Sequence, residues 1–340
     1  MNFLPGATTA GRHSGRAYAG PLMRRKPRIP PAPLPQRAGV DPVRVRLPQD
    51  GPWPTVRDHL VERLAAGPGV IDAMVREGRI VGADGTAVTR ATPYAPGAYV
   101  WFHRDLPAEA PVPFAIDVVH RDEHIVVVDK PHFLATMPRG GHVTQTALAR
   151  LREQLGIPAL GVAHRLDRLT AGLLLCTVRS KERGAYQTLF SGRRVHKEYE
   201  AVAPYSPDVP LPRTVRSHIV KERGVIAAYE VAGAEPNSES HVELVERRGA
   251  LGRYRLTPHT GRTHQLRVHM NALGLPILGD PLYPEVAAPA APDDFRRPLQ
   301  LLARVLAFTD PVTGVAHRFV SGRTLGAWSA YDDWASPATR

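Results

Sequence analysis

His164-Arg165-Leu166-Asp167-Arg168-Leu169-Thr170-Ala171-Gly172 runs without a break into Leu173-Leu174-Leu175-Cys176-Thr177-Val178. The second stretch is apolar, of strand length and without alternation, which predicts a strand from Leu173 to Val178 buried on both faces. The first stretch sets a carboxylate between two guanidinium groups in the loop that feeds this strand. A nearby cation favours the ionised carboxylate, so Asp167 is chemically suited to attack an electrophile or to remove a proton. Taken alone, a loop aspartate between arginines is more often a surface ion pair.

Outward from this junction, Ile125-Val126-Val127-Val128 predicts another buried strand, closed by Asp129-Lys130-Pro131, because proline disfavours helix at the residue before it. Thr144 to Leu155 predicts a helix with Leu148, Leu151 and Leu155 inward and Gly156 as its stop, and Ser180 to Phe190 a shorter one. Ser240 to Val245 alternates in polarity. The segment Arg304 to Phe319 is broken at Asp310-Pro311 and Gly314, and both regions suggest antiparallel strands joined by turns. Strands outnumber helices and do not alternate regularly with them. The expected fold class is therefore α+β, with a mixed, mainly antiparallel sheet.

Three segments are expected along the chain. Residues 1–48 are rich in Pro, Gly and Arg, have no acidic residue before Asp41, and predict a disordered basic tail in which Arg24-Arg25-Lys26 and Arg28 are available to phosphates. In residues 49–106, Thr55 and Asp58 form a capping-box pattern ahead of Val56, Leu60 and Leu64 at helical spacing. A second helix there carries Ile71, Met74 and Val75 and stops at Gly78. Turns at Asp84-Gly85 and Pro96-Gly97 then flank short strand-like runs ending at Phe102. After a proline-rich hinge from Pro107 to Pro113, the larger domain is expected over residues 112–328.

With 44 Lys and Arg against 32 Asp and Glu, the chain carries a net charge of +12, which points to a polyanionic partner. A single cysteine, Cys176, excludes an intrachain disulfide and any multi-cysteine metal cluster. No apolar run is long enough to span a bilayer and no leader pattern opens the chain, so a cytoplasmic protein without a membrane partner is expected. There is neither a phosphate-binding glycine loop nor a dinucleotide fingerprint.

Two further segments concentrate unlike polar groups: His196-Lys197-Glu198-Tyr199, and His259-Thr260-Gly261-Arg262-Thr263-His264-Gln265-Leu266-Arg267-Val268-His269. Histidines every five residues do not share a helical face or a strand face, so a metal site is not expected. A helix from about Thr263 with Leu266, Met270 and Leu273 inward, stopped by Gly274, accounts for the pattern better. A hydrolase built on a His–Asp pair would need a serine elbow or a metal-spaced histidine pair, and neither is evident.

The block from His164 to Asp167 with Thr170 and Gly172 resembles the signature of the RluA family of pseudouridine synthases. Asp129-Lys130-Pro131 is similar to its upstream lysine-proline segment, and Lys197-Glu198-Tyr199-Glu200-Ala201 to its tyrosine motif. Gly261 to His269, with Gly279-Asp280-Pro281-Leu282-Tyr283, resembles its arginine motif. The blocks stand in family order across about residues 112 to 320. The N-terminal helix pair and β-arm resemble the alpha-L RNA-binding motif.

This resemblance implies a cofactor-free isomerisation of uridine in ribosomal RNA, transfer RNA or both, by a monomer without metal. It implies that Asp167 is the catalytic aspartate, that Tyr199, also catalytic, packs against the target base and is available for proton transfer, and that Arg267 completes the catalytic set by pairing with Asp167. Arg165 would fill the gap left by an extruded uridine, and Lys197, Arg168 and Arg262 would meet RNA. Ala171 stands where the family commonly has serine, which questions a local hydrogen bond rather than the activity.

Overall fold

The computed structural model describes residues 29–64, 66–106 and 108–336. The expected tail through residue 28, with Arg24, Arg25, Lys26 and Arg28, lies outside the described residues, as does Pro107 of the expected hinge. The described chain divides into two compact units, residues 29–33 with Val45–Val100, and Leu34–Arg44 with residues 101–336.

The smaller unit is built from β1 (Val43–Arg46), α1 (Val56–Arg63), α2 (Pro68–Arg76), β2 (Ile80–Gly82) and β3 (Tyr99–Phe102), with sheet order β1-β3-β2. Thr55 caps α1 as its spacing predicts, its hydroxyl accepting from the Asp58 N–H at 3.2 Å. Ile71, Met74 and Val75 are buried from α2, and Gly78 follows it in the left-handed region at φ 64°.

Here one expectation is corrected: the segment up to residue 48 is not uniformly a tail. Val40, Val45 and Leu47 are buried, Val43–Arg46 is a strand, and Arg152 binds the Gly39 carbonyl and the Asp41 carboxylate, both at 3.0 Å. Composition averaged over 48 residues conceals four apolar side chains near its end. These find surfaces to dock on, Val40 against Val143 and Ala149.

In the larger unit the order continues β4 (Asp117–Arg121), β5 (Ile125–Lys130), α3 (Ala147–Leu155), β6 (Gly161–Val162), β7 (Ala171–Thr177), α4 (Arg183–Ser191) and β8 (His196–Pro204). Then come β9 (Arg213–Ser217), β10 (Ile219–Val220), β11 (Tyr229–Glu230), β12 (Ser238–Arg248), β13 (Leu251–Pro258), α5 (Gln265–Ala272), β14 (Leu301–Thr309) and β15 (Ala316–Val320). The large sheet runs β4-β5-β7-β14-β8-β13-β12-β9, with β15 on β14 and β6 on β7. Its pairings are antiparallel except at β7 and β14, which run parallel. The fold is thus the expected α+β class with a mixed, mainly antiparallel sheet.

Period-two geometry sends alternate residues of β5 and β7 to opposite faces. Val126, Val128, Leu174 and Cys176 pack with Leu148 and Leu151 of α3, while Ile125, Val127, Leu173 and Leu175 pack with Tyr186 and Leu189 of α4. Both faces are covered, which is why neither run alternates in sequence. Cys176 is fully buried and its thiol is pushed up to about 12 by burial, so it acts as a small apolar side chain. Ala201, Ala203, Val242, Tyr254 and Leu256 form a third cluster with Leu266 and Met270 of α5. No helix among the described residues is long and apolar enough to cross a membrane.

The parallel seam dictates one residue. Gly172 lies opposite Ala303 with φ 112°, and a Cβ there would stand 2.3 Å from the Ala303 carbonyl oxygen and 2.6 Å from its nitrogen. We expect Gly172→Ala to cost about 2–4 kcal/mol, read as a lowered urea midpoint. A wild-type midpoint would show that the seam is not close-packed.

Candidate active site

Asp167 occupies the loop between β6 and β7, and the loop is fastened from below by the segment that leaves β5. Thr136 brackets Leu166, its hydroxyl donating to the Leu166 carbonyl at 2.7 Å and accepting the Leu166 N–H at 3.1 Å. The Nζ of Lys130 donates to the carbonyls of Pro131, Leu134 and Arg168 at 2.9, 2.8 and 3.4 Å. His132 donates from Nδ1 to the Leu169 carbonyl at 2.6 Å, and the Thr170 N–H closes a turn onto the Asp167 carbonyl at 3.1 Å. Lys130 is fully buried; burial pushes its pKa down to about 7, and the charge of Asp167 draws it back up. With its backbone neighbours tied down, the Asp167 side chain is left 24% exposed.

His164 has a different duty. Its Nε2 accepts the Leu175 N–H at 3.0 Å and its ring stacks on Phe190 with centroids 4.3 Å apart. Burial pushes its pKa down to about 3, so it is a neutral structural acceptor. Ala171, at the position where serine is common in the resembling family, sits fully buried among Val202, Leu302, Leu325 and Ala327, so a methyl group suits its surroundings.

Arg267 reaches the same point from α5. Its Nη1 lies 3.6 Å from Oδ2 of Asp167, while its Nε and Nη2 fork onto Asp280 at 2.7 and 2.6 Å. Both Arg267 and Asp280 are almost wholly buried, and the guanidinium carbon lies 5.2 Å from the centre of the Tyr283 ring. At 3.6 Å the link to Asp167 is Coulombic, since a hydrogen bond needs a closer approach. The expected pair therefore exists, but the principal partner of Arg267 is Asp280. Although burial opposes it, the hydrogen bonds and charges of Asp280 and the charge of Asp167 raise the Arg267 pKa, so the group is fixed as a cation.

Tyr199 lies on β8, with Leu256 of β13 and Ala303 of β14 at its flanks. Its ring lines the cleft that holds Asp167. Burial, then the negative charge of Asp167, raises its phenol pKa well above the ordinary value, so it meets a ligand as a neutral ring.

The cleft encloses about 640 Å³ and its walls include Arg165, Arg193, Lys197, His259 and Arg262 beside Asp167, Tyr199 and Arg267. Arg165 and Arg262 are exposed, with Arg262 Nε donating to the Asn237 carbonyl at 3.2 Å, and Lys197 donates to the Thr260 carbonyl at 3.5 Å. Arg168 is exposed but does not line the cleft; its carbonyl serves Lys130 instead. A second hollow of about 780 Å³ shares Arg193, Lys197 and His259 and adds Arg194, His196 and Arg216. The three evenly spaced histidines go to separate places. His259 lines the cleft and His264 faces Asp167 at 3.9 Å. His269 is buried, with Nε2 at 3.1 and 3.0 Å from the hydroxyls of Ser217 and Ser238.

Four participants were not singled out from sequence. Arg193, in the left-handed region at φ 56°, belongs to an Arg193-Arg194 pair just ahead of the tyrosine segment, a signal that charge clustering carries. Asp280 and Tyr283 fall within a quoted block, yet nothing in their spacing reveals that they hold Arg267. His264 occupies φ 58° as the N-cap of α5, which starts two residues later than the sequence pattern places the helix.

Residues 124–272, which contain Asp167, Tyr199 and Arg267, match the family model described as RNA pseudouridylate synthase. The chain is 34% identical over 226 residues to the ribosomal large subunit pseudouridine synthase D of Pseudomonas aeruginosa, a match spanning 61% of this chain and 68% of that one. It is 36% identical over 214 residues to the dual-specificity RNA pseudouridine synthase RluA of Pasteurella multocida, spanning 58% and 89% respectively. Among solved structures, human RNA pseudouridylate synthase domain containing 4 shares the fold with a TM-score of 0.51 at 23% identity, covering 64% of this chain and 92% of that one. Sequence identity sustained across most of the length of such relatives, on a shared fold, establishes that the chain belongs to the RluA family of RNA pseudouridine synthases.

Proposed function

We propose that this chain converts uridine to pseudouridine in ribosomal RNA, transfer RNA or both, with Asp167 acting directly on the target ribose. The observation that carries this reading is the Asp167 carboxylate in a basic cleft, 3.6 Å from a buried guanidinium that is already neutralised by Asp280. The reaction breaks the bond between ribose C1′ and uracil N1, turns the base in place and joins C1′ to C5. The C5 proton leaves and N1 gains one, so no redox change and no group transfer to another molecule is required. Whether Asp167 attacks C1′ or removes a proton from the sugar, it must be ionised, and the Arg267 guanidinium 3.6 Å away is placed beside that charge.

A stacked uridine cannot present C1′, so the nucleotide must swing out at a cost of a few kcal/mol. Tyr199, uncharged and partly buried in the cleft wall, offers the extruded base a stacking surface, and Arg165 at the rim is suited to occupy the vacated space. Lys197, Arg193 and Arg262 supply positive charge for the flanking phosphates, which position the strand without reading its sequence. Arg168 would act from outside this cleft. The helix pair α1 and α2 with its β-arm is our candidate for a further RNA contact, by its resemblance to the alpha-L motif.

RNA carrying tritium at uracil C5 tests the reading. The protein should release label from ribosomal or transfer RNA under single-turnover conditions, and full retention of label across both would refute the proposal. Asp167→Asn should abolish release while RNA affinity stays within about tenfold of wild type, because phosphate contacts dominate binding; near-normal release would remove Asp167 from the chemistry. Asp280→Asn leaves the buried Arg267 without its fork. We expect a loss of about 3–5 kcal/mol in chemical denaturation and at least about a tenfold slower turnover as Arg267 closes onto Asp167. Wild-type stability and rate in that variant would make the fork incidental.

A further inference from the structure

Three polar groups converge on one phenolic oxygen beside the cleft. The Tyr283 hydroxyl receives the Ala228 N–H at 2.8 Å, donates to the Ala228 carbonyl at 2.9 Å, and lies 3.0 Å from Nδ1 of His264. A phenol has one proton and two lone pairs. With its proton on the Ala228 carbonyl and one lone pair used by the Ala228 N–H, the remaining lone pair calls for a donor. Nδ1 of His264 therefore carries the hydrogen. The other neutral tautomer would draw the phenol proton away and strand the carbonyl of Ala228, a residue only 2% exposed.

It follows that Nε2 of the neutral ring bears a lone pair, and this nitrogen lies 3.9 Å from Oδ2 of Asp167 in the wall of the cleft. Neutrality is favoured: burial lowers the His264 pKa, Asp167 and Asp280 raise it, Arg267 and Lys221 lower it, and the balance is downward. The ring is also held. His264 sits at φ 58°, a region that a branched or bulky residue enters at a cost, and its side chain is only 11% exposed. A strained, oriented acceptor beside the reacting carboxylate calls for a donor on the ligand.

On the reading given above, the sugar supplies one. If Asp167 addresses C1′, the nearest donor is the hydroxyl on the adjoining carbon, and Nε2 of His264 is an acceptor 3.9 Å from that carboxylate. We propose that Nε2 of His264 accepts the 2′-hydroxyl of the target ribose, making His264 a specificity-determining residue that selects ribose over deoxyribose at the modified position. A site that offers a buried acceptor disfavours a ligand lacking the matching donor, because the acceptor is then left unpaired, and the 2′-hydroxyl is the group that separates RNA from DNA.

The test compares two RNA hairpins of the modified site, tritiated at C5 of the target, that differ only in uridine or 2′-deoxyuridine at that position. Single-turnover release rates are measured for wild type, His264→Ala, His264→Asn and Tyr283→Phe. Asparagine tolerates the left-handed backbone but its amide stops short of the sugar, so it separates lost recognition from lost folding. Wild type should prefer the ribose substrate, and that preference should shrink by about tenfold in both His264 variants. In Tyr283→Phe, where the tautomer is no longer set, it should shrink by a smaller factor. If wild type releases tritium but shows no preference, or if His264→Asn or Tyr283→Phe keeps the full preference, the assignment falls and the enzymatic reading stands. If wild type releases no tritium from any RNA, both fall together.

Discussion

Everything in the cleft depends on a buried guanidinium that has more than one carboxylate to satisfy it. Arg267 turns two of its nitrogens to Asp280 at 2.7 and 2.6 Å and leaves a third 3.6 Å from Asp167. A planar fork of donors permits this division, which a lysine ammonium would not reproduce. Because Asp280 supplies the tight counter-charge, the arginine remains buried without clamping Asp167. The carboxylate is kept in a positive field yet retains free lone pairs for a substrate. A single close pair between Arg267 and Asp167 would instead hide the Asp167 oxygens behind two strong hydrogen bonds.

Around that centre, scaffolding and charge are assigned to separate residues. Lys130, His132 and Thr136 each bind carbonyls of the Asp167 loop and hold no ligand-facing position. Lys130 is the most costly of these, an ammonium with no exposure whose protons go to peptide oxygens. The same economy appears at His164, half-buried, and His269, buried, both drawn toward the neutral form, to about 3 and about 4 respectively. These polar side chains thus serve as framework around Asp167, satisfied by the protein itself.

What could be read in the sequence was local. The buried strands β5 and β7, the capped helix α3 with Gly156 at φ 64°, and the Asp167 loop all follow from neighbours a few residues apart. The residue types of the site were legible through ordered blocks matched to a family. Partnerships were not. Asp280 lies thirteen positions from Arg267 across an irregular segment, and no periodicity relates them. The ordered stretch near Val45 was masked by the composition around it, and the late start of α5 reflects a left-handed histidine that helical spacing cannot anticipate. Sheet order was equally out of reach, since β14 joins β7 and β8 across long intervals of chain.

That placement of β14 gives the parallel seam a meaning beyond packing. β4, β5 and β7 lie on one side of it and β8, β13, β12 and β9 on the other, joined where Leu302 faces Ala171 and Ala303 faces Gly172. The Asp167 carboxylate hangs from the first half, whereas Tyr199 and the helix bearing Arg267 belong to the second. Asp167 and its counter-ion therefore meet across an internal border, much as two subunits share a site. A slight shear along that border would part Asp167 from Arg267 and disturb the clusters that straddle it, in which Ala171 packs with Val202 and Leu302, and Leu175 with Leu306.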